Sequence, residues 1–528
     1  MAVNFPITIR RAIRHKCSVS YLKTISGILG LLFSMGVWHS PLLANTIAEN
    51  THMGTATCAG SQCHGKNTPQ ENRNVQLNEY TIWIGGDRHS IAYKTLETKE
   101  SKLMARKLGL PSATTAKICL DCHTDNVPTE KRGSKFQITD GVGCEGCHGG
   151  SEKWLVSHTD PNATHEQNIA NGLIATEDAG VRAQVCLACH LGNENQFATH
   201  QIMAAGHPRL SFELDLFTTN QPRHYSVDQD YIERKGRTNR IALWLSGQFH
   251  SIEQSLQVAK ARLYNGEGIF PDFAFYDCHS CHHPMSKLRW TASRADGVRP
   301  GSPRLHMPNM PVIESLVRAS GNQVLADELT IARAETVRAA QQGRRSFNVA
   351  ADQLLKTLEV ARAQVESNIE RGDVTNILNS LLNAAAADQT SDYAEAEQIY
   401  YSYETLCYAV GQSEECENTL DNLFNAIDTD DNFDPNTFAS VSRRLGGKKQ
   451  TRKAPEVERN KGRLTVTTTP ADARVRIMNI VPRYRDGIEL DVGNEYDIEV
   501  SEDGFITYRE IITLTEIEQF LNVTLNPD

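Results

Sequence analysis

Five times before residue 283 the chain places a cysteine pair directly ahead of a histidine. Four are strict C-x-x-C-H boxes: Cys119–His123, Cys144–His148, Cys186–His190 and Cys278–His282. Two thiols at this spacing can add across the two vinyl groups of one haem. The adjacent imidazole then falls against the iron. The first site, Cys58-Ala-Gly-Ser-Gln-Cys63-His64, has four intervening residues instead of two. Its longer loop still reaches both vinyls, and Cys63-His64 keeps the adjacency that places the ring. The reading is five covalently attached haem c groups, held through Cys58, Cys63, Cys119, Cys122, Cys144, Cys147, Cys186, Cys189, Cys278 and Cys281. The proximal ligands are His64, His123, His148, His190 and His282. A structural zinc site pairs two cysteine knuckles and has no need of a histidine after each. A thiol oxidoreductase needs one reactive pair.

Composition agrees. Of 13 cysteines, ten lie in the boxes and Cys17, Cys407 and Cys416 remain, while 18 histidines allow a second ligand at every iron. Hydrophobic content of 40% is slightly low for this length, as expected if macrocycles supply part of the core. A net charge of −10 argues against nucleic acid and fits charge-steered docking to an electron donor and an electron acceptor. At 528 residues, two or three domains are expected.

Residues 1–44 read as a signal peptide. Arg10, Arg11, Arg14, Lys16 and Lys23 precede an apolar Thr24–Trp38 stretch, and small residues lead to a cut near Ala44. The apolar core is short for a membrane span, although an uncleaved anchor is the alternative. Export to the periplasm is the expectation.

Residues 45–310 form the expected haem domain. Tyr80–Leu96 has helical apolar spacing and carries His89, a candidate distal ligand. His158 follows the third box. His200 and His207 are seven apart, on one face of a helix that Gly206 and Pro208 would end. A further amphipathic helix, Arg240–Leu263, carries His250.

The order of these features resembles the cytochrome c-554 family, tetrahaem partners of hydroxylamine oxidoreductase. The resemblance covers about residues 55–195. It rests on Trp83…His89-Ser-Ile-Ala, Cys119–His123, Gly141-Val-Gly-Cys144-Glu-Gly-Cys147-His148-Gly and Cys186-Leu-Ala-Cys189-His190-Leu. It implies that His89 faces the iron of His148 and that His158 faces the iron of His64. It also implies an open sixth position on the iron of His123, the candidate site for any catalysis. The chain departs from the family in its stretched first box, its fifth box and its Ala204–Tyr225 segment. For the irons of His190 and His282, His207 and His250 are the leading distal candidates, with His200, His224 and His306 behind.

Residues 311–445 carry helical periodicity and no box, and read as a helical bundle extension. Cys407 and Cys416 can close a disulfide or stay as two buried thiols. Asp428–Asp434 imitates a calcium loop, but Phe433 replaces the needed glycine, so it reads as a helix-capping turn. Residues 446–461 are a polar, basic linker. From 462 to 528 the pattern switches to period two. Gly462-Arg-Leu-Thr-Val…Pro470-Ala-Asp-Ala-Arg-Val resembles the PEGA domain, a small β-sandwich of exported proteins. That resemblance implies association with a surface or membrane complex. An oligomer is compatible with the helical region.

The fold class expected is therefore mainly α: a haem-packed multihaem cytochrome c domain, a helical bundle extension and a small C-terminal β-sandwich. The function expected is an exported pentahaem electron carrier between periplasmic redox proteins. The alternative is an oxidoreductase acting on a small nitrogen or sulfur compound at a five-coordinate haem.

Overall fold

The computed structural model describes residues 50–69, 76–236, 239–264, 271–282, 302–369, 374–387, 392–409, 411, 413–427, 433–446, 461–478, 484–502 and 504–527. The expected signal peptide and most of the linker and calcium-like stretch lie outside the described residues. The chain is mainly α, with a small C-terminal β region.

Residues 50–236 are a chain of short helices joined by turns. Three of them, Lys117–His123, Cys144–His148 and Ala179–His190, end on a box histidine. Apolar packing here is sparse. One cluster gathers Leu96, Ala105, Ala113 and Leu120, and another gathers Ala183, Leu187 and Leu214. Clusters this small cannot offset the entropy of ordering so many residues. The missing buried area is what bound macrocycles provide.

The 23-residue helix Arg240–Arg262 joins this region to the next. Asn239 caps it by accepting from the Ile241 and Ala242 amides. It packs against Ala179–His190 and against Arg344–Ile369 and Tyr393–Ala409. Trp244, Phe249, Ile252 and Leu256 are buried there, in the same core as Leu316, Leu329, Phe347, Leu358, Leu381, Leu406 and Phe438. That core is the helical bundle, in which Met310–Ala319, Gln323–Ala339 and Arg344–Ile369 pack in sequence. Val374–Ala386, Tyr393–Ala409, Glu414–Ile427 and Pro435–Arg444 complete it. Cys407 and Cys416 form a disulfide between two consecutive helices. Asp434 caps the last helix through the Asn436 and Thr437 amides.

Polar groups fix how the bundle meets the haem region. Trp244 Nε1 donates to Ser402 Oγ at 3.0 Å, and Asn309 donates to Gln248 Oε1 at 2.8 Å. Arg304 pairs with Glu395 at 3.0 Å, both buried.

The C-terminal region contains β1 (Lys461–Thr469), β2 (Arg474–Ile477), β3 (Ile488–Asp491), β4 (Glu495–Ser501), β5 (Tyr508–Thr513) and β6 (Glu518–Thr524). They form two three-stranded sheets, ordered β3-β1-β6 and β2-β4-β5. β1 runs antiparallel to β3 and parallel to β6; β4 is antiparallel to both its neighbours. Leu464, Val466, Leu490 and Val523 of one sheet share a core with Ile477, Ile498 and Val500 of the other, which makes a small sandwich. Among the described residues no helix is long and apolar enough to cross a membrane.

Removing one partner of a buried ion pair strands the other charge, at about 3–5 kcal/mol. Glu395→Ala should therefore lower the chemical denaturation midpoint of the helical region substantially. An unchanged midpoint would show that the Arg304–Glu395 pair contributes nothing to docking.

Candidate haem centres

Each box histidine has a second histidine facing it. His64 and His158 have ring centroids 6.3 Å apart and planes 14° from parallel. His123 faces His207 at 6.3 Å and 86°. His148 faces His224 at 6.3 Å and 88°. His190 faces His89 at 6.1 Å and 85°. His282 faces His200 at 6.2 Å and 34°. A metal–imidazole bond is about 2.0 Å, so two imidazoles on opposite sides of one metal set their ring centres roughly 6 Å apart. All five pairs fit an iron held by two histidines, and each has its cysteine pair directly before it in sequence.

Protonation fits too. A metal ligand must be neutral imidazole with a free nitrogen, and the other nitrogen is commonly anchored to an oxygen. The Nδ1 atoms do this. His64 Nδ1 meets Glu79 Oε2 at 2.9 Å, and His89 Nδ1 meets Asp87 Oδ1 at 2.8 Å. His123 Nδ1 donates to Thr95 Oγ1 and the Ala92 carbonyl, at 2.9 and 3.1 Å. His158 Nδ1 donates to the Trp154 carbonyl and His207 Nδ1 to the Pro208 carbonyl. Nε2 is left for the metal. Burial pushes His148 and His190 down to about 4, so both are neutral at ordinary pH.

The thiols differ in setting: hydrogen bonds from Cys144 and Cys189 pull Cys58 and Cys122 down, while burial pushes others up. Burial raises Cys147 to about 12 and Cys186 to about 11. Thiols of different boxes meet: Cys58 hydrogen-bonds with Cys144, and Cys122 with Cys189. Cys147 and Cys186 feel each other electrostatically. The first box thus adjoins the third, the third the fourth, and the fourth the second.

The stretched first box closes as a compact loop. His64 N donates to the Cys58 carbonyl at 3.1 Å, and Gly65 N to the Gly60 carbonyl at 3.0 Å. The four-residue spacer is taken up inside this loop.

Several expectations need correction. His89 does not ride one long helix. The helix Glu79–Gly86 stops at Asp87, whose side chain accepts the His89 amide and starts a new 3₁₀ turn, Arg88–Ile91. The break turns His89 toward His190 instead of His148. His224, not His89, faces His148. The candidate open position at His123 is faced by His207, so the structure gives the proposed catalytic iron a second histidine. His250 joins none of the five pairs. It is half-buried on the Arg240–Arg262 helix, with Nδ1 donating to the Ser246 carbonyl at 2.9 Å and Arg362 Nη2 3.4 Å from the same atom. Desolvation, with the Arg362 charge added, pushes it down to about 4, so it is a neutral histidine tied to its own helix. His200 takes the place opposite His282 instead.

Other residues matter that the sequence did not single out. Glu145, inside the third box, is buried and accepts from the Met53, Gly54 and Ser151 amides at 2.7–2.8 Å. It clamps the segment before the first box to the third. His52 is fully buried, with Nδ1 2.6 Å from Asp125 Oδ2. Gly141 has φ +75°, and a Cβ there would fall 2.4 Å from the His89 carbonyl. That carbonyl accepts from Val142 N, so the Gly-Val-Gly run before the third box is shaped to hold His89. The spacing Cys144-Glu-Gly-Cys147 hinted at Glu145, but its partners lie about ninety residues earlier.

Behind the His190 and Cys278 boxes lies a cavity of about 1070 Å³, its open mouth included. Phe197, Phe212, Phe275, Leu256 and Met307 line it, with Glu397 and Gln398 from the bundle. The bundle therefore walls this side of the haem region.

Glu145→Ala would strand three amides, each worth about 1–3 kcal/mol when buried and unpaired. The variant should melt earlier than wild type and be recovered with less bound haem.

Residues 57–149 match the family model of cytochrome c554 and c-prime. No curated protein and no solved structure matches the chain. The match spans the first three boxes and His89, and it implies covalently bound haem c and redox-protein partners. Residues 57–149 are thus similar to c554-type cytochromes, a likeness that supports c-type haem and the electron-transfer class for this segment.

Proposed function

We propose that the protein is an exported pentahaem electron carrier in which every iron is held between two histidines. The observation that carries this reading is the set of five opposed imidazole pairs, with centroids 6.1–6.3 Å apart. Bound haem supplies reversible one-electron chemistry there. The chain's own residues would place one histidine on each side of every iron, orient several of them through an Nδ1 partner and bury the interior sites. A metal with two strong protein ligands offers no position to a small substrate, which favours a carrier over the oxidoreductase alternative. Residues 1–44 fit an export leader, and the periplasm is the compartment in which such a chain would meet its donor and acceptor. The C-terminal sandwich, similar in its sequence pattern to a PEGA domain, is the part suited to anchoring the carrier in a surface complex.

Haem quantitation on holoprotein should give five per chain; four would remove the first box from the set. Electron paramagnetic resonance of the oxidised protein should show only low-spin iron. Parallel and perpendicular imidazole planes split the iron d orbitals differently. The His64–His158 site should therefore give a rhombic signal, and the near-perpendicular sites highly anisotropic ones. His207→Ala should create a high-spin ferric signal, and His250→Ala should not. A high-spin signal already present in the wild type would reinstate the oxidoreductase reading.

A further inference from the structure

The five pairs share one geometry but not one electrostatic setting. Two of the ligand imidazoles are backed by carboxylates. His64 Nδ1 meets Glu79 Oε2 at 2.9 Å, with Glu79 only 18% exposed in its side chain. His89 Nδ1 meets Asp87 Oδ1 at 2.8 Å, with Asp87 only 4% exposed. The others with a defined Nδ1 partner are backed by neutral oxygens: Thr95 and the Ala92 carbonyl behind His123, the Pro208 carbonyl behind His207, and the Trp154 carbonyl behind His158. His224 is held by the Pro222 carbonyl, and it also feels Asp87 and Glu79 through space without being hydrogen-bonded to either.

A carboxylate pulling on Nδ1–H moves negative charge onto the imidazole and strengthens its donation through Nε2. Ferric iron carries one more positive charge than ferrous iron and gains more from that donation. The carboxylate also stands as a nearby fixed negative charge in a partly buried setting, where screening is weak. Both effects favour the oxidised form. Neutral carbonyl and hydroxyl partners orient the ring without adding charge.

We propose that Glu79 and Asp87 are positioning residues that set the His64–His158 and His89–His190 haem sites lower in reduction potential than the His123–His207 site, whose Nδ1 partners are neutral. This rests on the reading of the pairs as haem sites.

The surroundings of the two carboxylates support the assignment. Asp87 has three donors converging on it: the His89 amide, His89 Nδ1 and Gln221 Nε2, the last at 2.8 Å. Glu79 also accepts from the Leu77 amide at 3.2 Å, which aims its second oxygen at His64.

The test is potentiometric titration of the holoprotein, followed optically and by electron paramagnetic resonance, with Glu79→Gln and Asp87→Asn. Each variant should keep five low-spin haems and move one titration step to higher potential. The rhombic signal assigned to the near-parallel His64–His158 pair should move in Glu79→Gln, and a strongly anisotropic one in Asp87→Asn. Thr95→Val, which removes only a neutral partner of His123, should move no step comparably. Gln221→Leu withdraws a competing donor from Asp87 and should shift the Asp87-linked step downward. It keeps the test open if Asp87→Asn loses its haem. Five low-spin haems with unmoved potentials, or equal shifts in every step, would overturn the inference. Fewer haems in the wild type, or high-spin iron there, would instead overturn the underlying reading.

Discussion

Two imidazoles on opposite sides of one metal must sit about 6 Å apart, centre to centre, and the first half of this chain is organised by that span. Three of its helices run only far enough to carry a box to its histidine and stop. Its apolar clusters are small because a macrocycle between each imidazole pair would do the packing. The contrast with the bundle is direct. There, one continuous core from Trp244 to Phe438 holds long helices together without any cofactor.

The ligands are in turn held by what lies behind them. A histidine free to rotate would be a poor axial ligand, since each lost orientation costs entropy at the moment of binding. Nδ1 anchors remove that freedom, and several are close in sequence: the Trp154 carbonyl is four residues before His158, the Pro208 carbonyl one after His207 and the Asp87 carboxylate two before His89, while Glu79 and Thr95 reach His64 and His123 from farther along the chain. The fold uses local chain geometry to aim a ring and long-range packing to bring it to its partner.

That division explains what could be read from the sequence. The boxes were legible because vinyl addition and iron ligation dictate a spacing within a few residues. The helical bundle and the period-two strands were legible because each obeys a local repeat. Of the distal pairings, His64–His158 was anticipated through the family resemblance; the others were not, because His148 and His224, or His190 and His89, meet only through the whole fold. His89 shows the mechanism of failure. Apolar periodicity ran through Asp87 as though the helix were continuous, but a capping carboxylate beats helix propensity at that point. His250 shows the converse error. A histidine on an amphipathic helix has the right local features, and only the neighbouring Ser246 and Arg362 reveal it as tied to its own helix.

A stretch beyond residues 57–149, the part similar to the c554 family, supplies three of the facing histidines. His200, His207 and His224 lie within one stretch, and they face the boxes of His282, His123 and His148. The six-residue helix His200–Ala205 ends at Gly206, whose φ of +125° lets the chain turn so that His207 leaves in a new direction. Gln221 then ties the stretch to Asp87, and Arg182 and Arg223 lie over Tyr225 at its end. This one stretch thus brings facing histidines to three boxes and a hydrogen bond to the carboxylate behind a fourth site. The position that the family resemblance leaves open at His123 would be closed by the same segment that reaches the fifth box. In physical terms, closing that position and extending the relay are one structural event: the backbone that carries His207 to the second box is the backbone that carries His200 to the fifth.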